Sequence, residues 1–175
     1  MTLRQFYDWQ TAGGGGGVSL LVATLENAEI PWCMIGGLAV NHWAREPMAT
    51  ADVDVVIAAG RIEEAVKSLI KAGFTARKFR WSVNLKGRSQ VSVQISTEEI
   101  CQDFPARSVP ADIHGILMRV ASREDTLCGK LLAYQDVRQR ASKRQKDLLD
   151  LMRLVEAHPK LRKLLPAEVV KKLAV

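Results

Sequence analysis

The chain has 175 residues, of which 47% are hydrophobic, so it can form a sizeable core and is not an intrinsically disordered protein. Lys and Arg total 25 against 19 Asp and Glu, and this net charge of +6 suits either a polyanionic partner such as a nucleotide or RNA, or simply a soluble protein with a basic surface. No apolar run approaches the roughly 20 residues that span a bilayer, and no signal peptide is evident, so we expect a cytoplasmic protein without a membrane partner.

The N-terminal part contains five consecutive glycines, Gly13 to Gly17. They lack the Gly-Lys-Ser/Thr sequence that follows the glycines of a phosphate-binding P-loop, so a flexible tether is the preferred interpretation. We therefore expect residues 1–17 to form a flexible segment, residues 18–121 an α/β core, and residues 122–175 helices that complete the same domain.

The next residues are predicted to alternate between helices and strands. Apolar periodicity and helix-breaking residues predict a helix at 18–28, a strand at 31–35, a turn at Gly36–Gly37, a helix at 38–44, a partly buried strand at 52–58 and a helix at 61–73. In the last helix, Ile62, Val66 and Ile70 are expected to face the core.

The second half is predicted to contain more strands and then helices. The sequence indicates β-like segments at 74–79 and 80–85, strands at 91–96 and 113–120, a helix that begins at Ser122, a basic connection at 139–146, an amphipathic helix at 146–158 and a helical tail. This order predicts an α+β fold in which helices pack on a mixed β-sheet.

Cys33, Cys101 and Cys128 are far apart in sequence and odd in number. This pattern argues against a disulfide framework and against a zinc knuckle, and each cysteine is expected to be a small apolar residue in a reducing compartment. The three histidines are scattered, so no histidine metal site is predicted.

Two aspartates begin a predicted strand, although strands disfavour this residue. Asp52 and Asp54 are two residues apart, so strand alternation places both carboxylates on one face, roughly 7 Å apart at the backbone. Adjacent carboxylates repel each other unless a cation lies between them, and Mg²⁺ commonly binds one or two carboxylates together with substrate phosphates. The alternative is a polar strand end at which each aspartate caps a turn.

Gly36 and Gly37 lie between a predicted strand and a predicted helix. Glycine lets a phosphate approach the backbone, and a helix N-terminus offers free N–H groups to an anion. One element would then bind a triphosphate while the next strand supplies its metal. Phosphatases with an aspartyl nucleophile also use Asp-x-Asp, but there the apolar strand precedes the aspartates, whereas here the apolar run 55–57 follows them.

A Gly-Gly turn followed by Asp-x-Asp on the next strand resembles the nucleotidyltransferase superfamily related to DNA polymerase β. The segments SREDTLCGKLLAY (122–134) and RQKDLLDLMRL (144–154) resemble the minimal bacterial nucleotidyltransferases of the AbiEii-like toxin type. The similarity covers about residues 30–158. It implies a nucleotidyltransferase-like mixed sheet, an NTP substrate, Mg²⁺ as cofactor, and a cognate antitoxin as a possible partner.

The resemblance also implies roles for individual residues. Asp52 and Asp54 would hold Mg²⁺ against the nucleotide phosphates, while an acceptor hydroxyl attacks the α-phosphorus. The residues expected to contact the nucleotide are Gly36, Gly37, Thr50, Lys130 and Asp147.

For the C-terminal charged residues, alternatives remain open. Lys130 would add positive charge near the phosphates, or would be a solvated lysine on an amphipathic helix. Asp147 and Asp150 share a helix face. Asp147 would orient Lys130 or contact the nucleotide, or both aspartates would pair with Lys143 or Arg144.

One feature departs from the superfamily pattern. Active members carry a third carboxylate on a later strand, but the corresponding strand here, 91–96, has Gln94 and no acid. Glu98, Glu99 or Asp103 would have to substitute from beyond the strand. Two functions are therefore kept: Mg²⁺-dependent transfer of a nucleotide to a hydroxyl of RNA, a protein or a small molecule, and a catalytically impaired module that binds nucleotide or RNA.

Overall fold

A computed structural model of the protein describes residues 15–48, 50, 52–88, 92–113 and 115–173. Most of the expected flexible N-terminal segment lies outside the described residues, and its last three glycines, Gly15–Gly17, begin the first helix. None of the described helices combines the length and the apolar character needed to cross a lipid bilayer.

The described residues form six α-helices and seven β-strands. The helices are α1 (Gly15–Asn27), α2 (Gly36–Ala44), α3 (Ile62–Lys71), α4 (Arg123–Gln135), α5 (Ala141–Ala157) and α6 (Ala167–Leu173). The strands are β1 (Trp32–Ile35), β2 (Asp52–Ile57), β3 (Thr75–Lys78), β4 (Ser82–Lys86), β5 (Ser92–Ser96), β6 (Val109–Ile113) and β7 (Ile116–Val120). Short 3-10 helices cover Glu99–Cys101, Phe104–Arg107 and Pro159–Leu164.

The seven strands form one mixed sheet in the order β3-β4-β5-β2-β1-β7-β6. Strand β1 pairs antiparallel with β2 and parallel with β7, and β2 pairs parallel with β5. This confirms the predicted α+β class with helices on a mixed sheet. Helices α1 and α3 contribute to a core on one face of the sheet, and helices α2, α4, α5 and α6 form a second core beside it.

The prediction of one strand over residues 113–120 is wrong. Strand β6 ends at Ile113 and β7 begins at Ile116, and the two pair antiparallel as a hairpin. Gly115 has a φ of 84°, and its N–H donates a 2.7 Å hydrogen bond to Oδ1 of Asp112, so the chain reverses where a continuous strand was expected. Pro110 lies within β6, which is tolerated because β6 is an edge strand of the sheet.

Two predictions about helices also need correction. Residues 139–146 were expected to be a connection, but α5 begins at Ala141, because its first turns are rich in Lys, Arg and Gln, which favour helix without an apolar stripe. In α3 the buried residues are Ala65, Val66 and Leu69, while Ile70 is 50% exposed. The i, i+4, i+8 spacing of the prediction drifts away from the core-facing stripe of a helix.

Candidate nucleotide and metal site

Asp54 lies where β1, β2 and the start of α2 meet. The antiparallel register places Asp54 opposite Ile35, the last residue of β1, and Gly36 follows as the first residue of α2 with a φ of 68°. A Cβ on Gly36 would overlap Oδ2 of Asp54 and lie 2.8 Å from its Cγ. Glycine is therefore required both for the left-handed backbone and for the close approach of the carboxylate.

Gly37 makes room for Thr50 in the same way. A Cβ on Gly37 would lie 2.9 Å from Oγ1 of Thr50. The N-cap residue Ile35 makes no side-chain capping hydrogen bond to the first N–H groups of α2. Such N–H groups at a helix start can bind an anion. The structure thus brings three of the predicted nucleotide-binding residues together beside Asp54.

Asp52 and Asp54 share one face of β2, as predicted from their spacing. Strand β2 spans Asp52–Ile57, with Val53 and Val55 buried in the core on the opposite face. Asp52 is exposed, whereas Asp54 is only partly exposed. The two aspartates therefore differ in solvent access although they lie on the same side of the sheet.

The electrostatic surroundings of Asp54 are unusual. Burial raises the pKa of Asp54 from 3.8 to about 6, the positive charge of Lys130 opposes this shift, and the neighbouring Asp52 carboxylate adds to it. Lys143 and Lys146 also lower the pKa of Asp54 through their charges. A partly desolvated carboxylate thus faces a group of lysines from the C-terminal helices.

Lys130 lies in a buried network of charges between α4 and α5. Its Nζ donates a 2.9 Å hydrogen bond to Oδ1 of Asp147 and lies 2.7 Å from Oδ2 of Asp150. Burial alone would lower the pKa of Lys130, but the carboxylates of Asp150 and Asp147 more than offset this and the pKa is raised. Lys130 is therefore a charged ammonium group that is held in place by two carboxylates.

These contacts decide between the alternatives for the charged residues of α4 and α5. The interpretation of Lys130 as a solvated lysine is wrong, because only 11% of its side chain is exposed. Asp147 and Asp150 pair with Lys130, not with Lys143 or Arg144. Arg144 instead donates a 2.9 Å hydrogen bond to the backbone oxygen of Tyr134.

Sequence reasoning missed two residues that extend this network, Arg153 and Asn41. Arg153 Nη1 donates a 2.9 Å hydrogen bond to Oδ1 of Asp150, and its Nη2 donates to Oδ1 of Asn41 and to the backbone oxygen of Glu46. Asn41 also bonds both the N–H and the carbonyl oxygen of Met48. The network thereby fastens α5 to α2 and to the loop that leads into β2.

Asp150 and Arg153 are three residues apart on one helix, as are Asp147 and Asp150. This i, i+3 spacing was a signal that Arg153 belongs to the charged face of α5. No such spacing pointed to Asn41, because it lies 112 residues from Arg153 in the chain.

A cleft of about 170 Å³ separates the sheet from α4 and α5. Its lining includes Asp54 and Gly36 on one side and Lys130, Lys143 and Asp147 on the other. Oδ2 of Asp147 is buried and has no hydrogen-bond partner among the described residues. The cleft therefore presents an unsatisfied acceptor and two lysines opposite the strand aspartate.

The strand that was expected to supply a third carboxylate is β5. Its Gln94 pairs in register with Asp54 and lines the cleft, so a neutral amide stands where an acid was sought. Of the three substitutes considered, Glu98 lines the cleft, while Glu99 and Asp103 do not. The departure from the superfamily pattern at this strand is a feature of the structure as well as of the sequence.

The side chains present suit a metal ion that is bound jointly with a substrate. Among the described residues, no group of three or more His, Cys, Asp or Glu side chains could hold a metal ion. Asp52 and Asp54 supply two carboxylates on one face, and Mg²⁺ characteristically completes a shell of that kind with water and substrate phosphates. The buried thiols do not contribute, because burial raises the pKa of Cys33 and of Cys101 to about 12.

Known proteins resemble this chain in sequence and in fold. The family model described as "Nucleotidyl transferase AbiEii toxin, Type IV TA system" matches residues 19–174. A search of curated proteins found no match.

Solved structures with a similar fold include several nucleotidyltransferases. The antigenic nucleotidyltransferase-like protein from Paracoccidioides brasiliensis has a TM-score of 0.58 at 21% identity, over 90% of this chain and 87% of that one. ANT(2'')-Ia in complex with adenylyl-2''-tobramycin has a TM-score of 0.58 at 16% identity, over 89% and 91%. The lincosamide antibiotic adenylyltransferase LnuA, with lincomycin bound, has a TM-score of 0.52 at 14% identity, over 76% and 90%.

Proposed function

This chain belongs to the AbiEii nucleotidyltransferase toxin family, and from that premise we propose that it transfers a nucleoside monophosphate from an NTP to an acceptor hydroxyl in a Mg²⁺-dependent reaction. The observation that carries the proposal is the packing of the Asp54 carboxylate against Gly36. This contact sets a candidate metal ligand directly beside backbone N–H groups that can bind phosphate.

Asp52 and Asp54 are the residues that would hold the metal. When bound there, Mg²⁺ would neutralise the negative charge of the nucleotide phosphates. Gly36, Gly37 and Thr50 would contact the phosphate chain at the start of α2. Their role is to fix the α-phosphorus in line with the incoming hydroxyl, since positioning and charge stabilisation dominate phosphoryl chemistry.

Lys130 would act from the opposite wall of the cleft. Its ammonium is within electrostatic range of Asp54, and its orientation is fixed by Asp147 and Asp150. Lys143 supplies a second, exposed positive charge at the same wall. Together they would stabilise the charge that develops on the leaving pyrophosphate.

The unsatisfied Oδ2 of Asp147 can accept a hydrogen bond from the nucleotide, as expected for a residue that contacts the substrate. This role agrees with its place in the cleft lining. Asp147 would then both orient Lys130 and bind the nucleotide.

The acceptor and the partner are further parts of the proposal. One protein of similar fold is an antibiotic adenylyltransferase by name, and another is in complex with adenylyl-2''-tobramycin, so small molecules belong beside RNA and protein among the acceptors to be tested. A cognate antitoxin is the partner that the family name implies.

A second candidate function is nucleotide binding with little or no transfer. Gln94 favours it, because an amide cannot serve as the general base that a carboxylate in its place would provide. General-base assistance is commonly worth about 10²- to 10⁴-fold in rate. This function keeps the same nucleotide site and differs only in the turnover that follows.

Calorimetry with each NTP and Mg²⁺ tests the shared binding step. We expect binding by the wild-type protein and a loss of at least about tenfold in affinity in Asp54→Asn, which removes one negatively charged ligand. Asp103→Asn is the matched control, because this aspartate is exposed and lies outside the cleft. Absence of heat with every NTP would rule out both candidate functions. A labelled-NTP transfer assay on RNA, protein and small-molecule acceptors then separates the two.

A further inference from the structure

One long segment of this chain is basic and contains no acidic residue. Residues 65–97 contain seven of the 25 Lys and Arg residues and none of the 19 Asp and Glu residues, so the remaining chain carries 18 basic and 19 acidic residues. The segment carries a net charge of +7, and residues 137–146 form a second basic stretch with five Lys and Arg and no acid. A basic segment of this kind is the electrostatic signature of a surface that binds a polyanion.

The centre of the segment is an exposed hairpin at one edge of the sheet. Strand β3 is the edge strand and pairs antiparallel with β4. All seven residues from Thr75 to Trp81 are exposed, including two large aromatic side chains, Phe79 at 48% and Trp81 at 46%. Exposed aromatic residues beside basic ones are the combination that binds unpaired bases together with their phosphates.

An arginine side chain lies over each of these two aromatic rings. The guanidinium carbon of Arg77 lies 5.1 Å from the ring centroid of Phe79, and that of Arg80 lies 5.0 Å from the ring of Trp81. These pairs hold flat π surfaces and cations side by side. Nucleic-acid bases stack on such rings, and the adjacent guanidinium groups contact the phosphates between bases.

The hairpin continues into the face of the sheet that carries Asp54. In-register pairing links Asp54 to Gln94, Gln94 to Asn84, and Asn84 to Arg77, so these four side chains form one row across β2, β5, β4 and β3. Neighbouring strands lie about 4.8 Å apart, which places Arg77 about 14 Å from Asp54 along the row.

This face of β3, β4 and β5 is polar and open. The residues that share it are Thr75 and Arg77 on β3, Ser82, Asn84 and Lys86 on β4, and Ser92, Gln94 and Ser96 on β5, and each is exposed or partly exposed. The opposite face carries Val83, Leu85, Val93 and Ile95, which are buried in the core. The apolar face is therefore covered by the core, and the polar face is accessible from β3 to β5, where Gln94 and Ser96 line the cleft below α4 and α5.

We propose that the β3–β4 hairpin and the polar face beside it bind single-stranded nucleic acid, with Phe79 and Trp81 as stacking platforms and Arg77 and Arg80 on the phosphates. The charge of the segment complements a polyphosphate backbone, and the exposed rings complement unpaired bases. The hairpin lies outside the lining of the nucleotide cleft, whereas the polar face meets the cleft at Gln94 and Ser96, and binding at the hairpin does not require that the cleft be catalytically active.

Fluorescence anisotropy of a labelled 12-nucleotide oligouridine with the full-length chain tests this proposal. We expect Phe79→Ala/Trp81→Ala to weaken binding by at least about tenfold, because each stacked base contributes substantially. Phe79→Tyr/Trp81→Phe, which keeps both rings, should retain most of the affinity. Circular dichroism and the melting temperature of each variant show that the fold is intact.

Charge variants test whether the oligonucleotide binds to the hairpin itself or is attracted to any basic surface of the protein. Arg77→Ala/Arg80→Ala should reduce the slope of log Kd against log salt concentration by about 1.4, which is the contribution of two phosphates on a single strand. Arg162→Ala/Lys163→Ala removes the same charge from an exposed 3-10 helix outside the sheet and should change Kd and slope much less. Equal losses in both double variants would overturn the proposal.

Two further oligonucleotides test which kind of nucleic acid binds to this surface. A deoxythymidine oligomer of the same length distinguishes RNA from DNA, and a 12-base-pair duplex should bind more weakly because its bases are not free to stack. A duplex that binds as tightly as the single strands, or no single-strand binding at low salt, would refute the stacking surface. Single-strand binding is measured without NTP and without Mg²⁺, so failure here is distinguishable from failure of the nucleotide site.

Discussion

The two aspartate pairs of the molecule carry the same charge in opposite surroundings. Asp147 and Asp150 on α5 are buried, and between them they hold Lys130 and Arg153 at hydrogen-bond distance. Asp52 and Asp54 on β2 have no ion-pair partner within 4.0 Å among the described residues. One pair is neutralised by the protein itself, and the other has no basic side chain paired with it in the described part of the chain.

The presence or absence of a basic partner suggests a different role for each aspartate pair. Asp147 and Asp150 form the compensated pair, since each has a basic partner. This pair fixes the positions of α4, α5 and the loop before β2, because each buried charge needs its partner. Asp52 and Asp54 form the uncompensated pair. Burial raises the pKa of Asp54 beside the start of α2, and keeping this carboxylate ionised without a ligand costs stability. Groups held in an unfavourable state of this kind are typical of functional sites.

The largest expected effect comes from breaking the compensated pair. Lys130→Met should lower the free energy of unfolding by about 3–5 kcal/mol, because it leaves buried carboxylates without their shared cation. Urea unfolding at pH 7 measures the loss. Lys130→Met/Asp147→Leu should recover part of it, since an apolar pair can replace a buried ion pair.

Arg61→Ala provides the control for that measurement. It removes an ion pair with Glu64 at the start of α3, and this pair is exposed to solvent. The urea midpoint of this variant should stay close to that of the wild type. Lys130→Met with an equally unchanged midpoint would show that the buried network has no structural role.

The fold was largely predictable from local patterns. Alternation and apolar runs located β1, β2 and β5. The prediction of a helix that begins at Ser122 is confirmed, because the Oγ of Ser122 caps α4 by accepting a hydrogen bond from the Asp125 N–H. The errors occurred where local signals conflict. Gly115 interrupts an otherwise β-like run, and the polar start of α5 has no apolar stripe to mark it.

The site was predictable only where its residues are close in sequence. The glycines of α2 and the aspartates of β2 form a recognisable local motif, and strand alternation predicts their common face. The ion pair of Lys130 with Asp147 joins residues 17 apart on two helices, so its partners could not be chosen from spacing. The sequence alone shows that residues 65–97 contain no acid. Only the structure shows that part of this segment lies on an exposed face of the sheet.

The second prediction tests the contact that defines the uncompensated pair. Gly36→Ala should destabilise the protein by about 2–4 kcal/mol and abolish NTP binding, because the added Cβ meets the Asp54 carboxylate at a left-handed backbone position. Gly60→Ala is the matched control, since Gly60 has a φ of 75° and, apart from its chain neighbours, no described residue has an atom within 4 Å of the new Cβ.

The difference between the two glycine variants isolates the steric conflict with Asp54. Gly60→Ala should cost only the backbone penalty of about 1–2 kcal/mol and leave NTP binding intact. Thermal unfolding and calorimetry of both variants measure the comparison. If the two alanines have equal effects on stability and binding, the close packing of Asp54 against α2 is not what supports the site.

The smallest expected effect is a gain in stability when the uncompensated charge is removed. In the metal-free protein, burial raises the pKa of Asp54 from 3.8 to about 6, so the native state binds this proton more tightly than the unfolded chain does. The ionised carboxylate therefore costs stability as pH rises through this window, and the full cost is present at pH 7. Asp54→Asn should be more stable than the wild type there by about 1–2 kcal/mol, after allowance for its partial exposure.

The pH dependence of that gain identifies its cause. Below the ordinary pKa of an aspartate the carboxyl is protonated in both states, so the difference between wild type and Asp54→Asn should vanish as pH falls through about 4. Unfolding in EDTA between pH 4 and pH 7 measures it. Asp52→Asn removes the same charge from an exposed position and should gain less. A wild-type protein that is more stable than Asp54→Asn at pH 7 would mean that the protein already compensates this carboxylate, and the contrast between the two aspartate pairs would then fail.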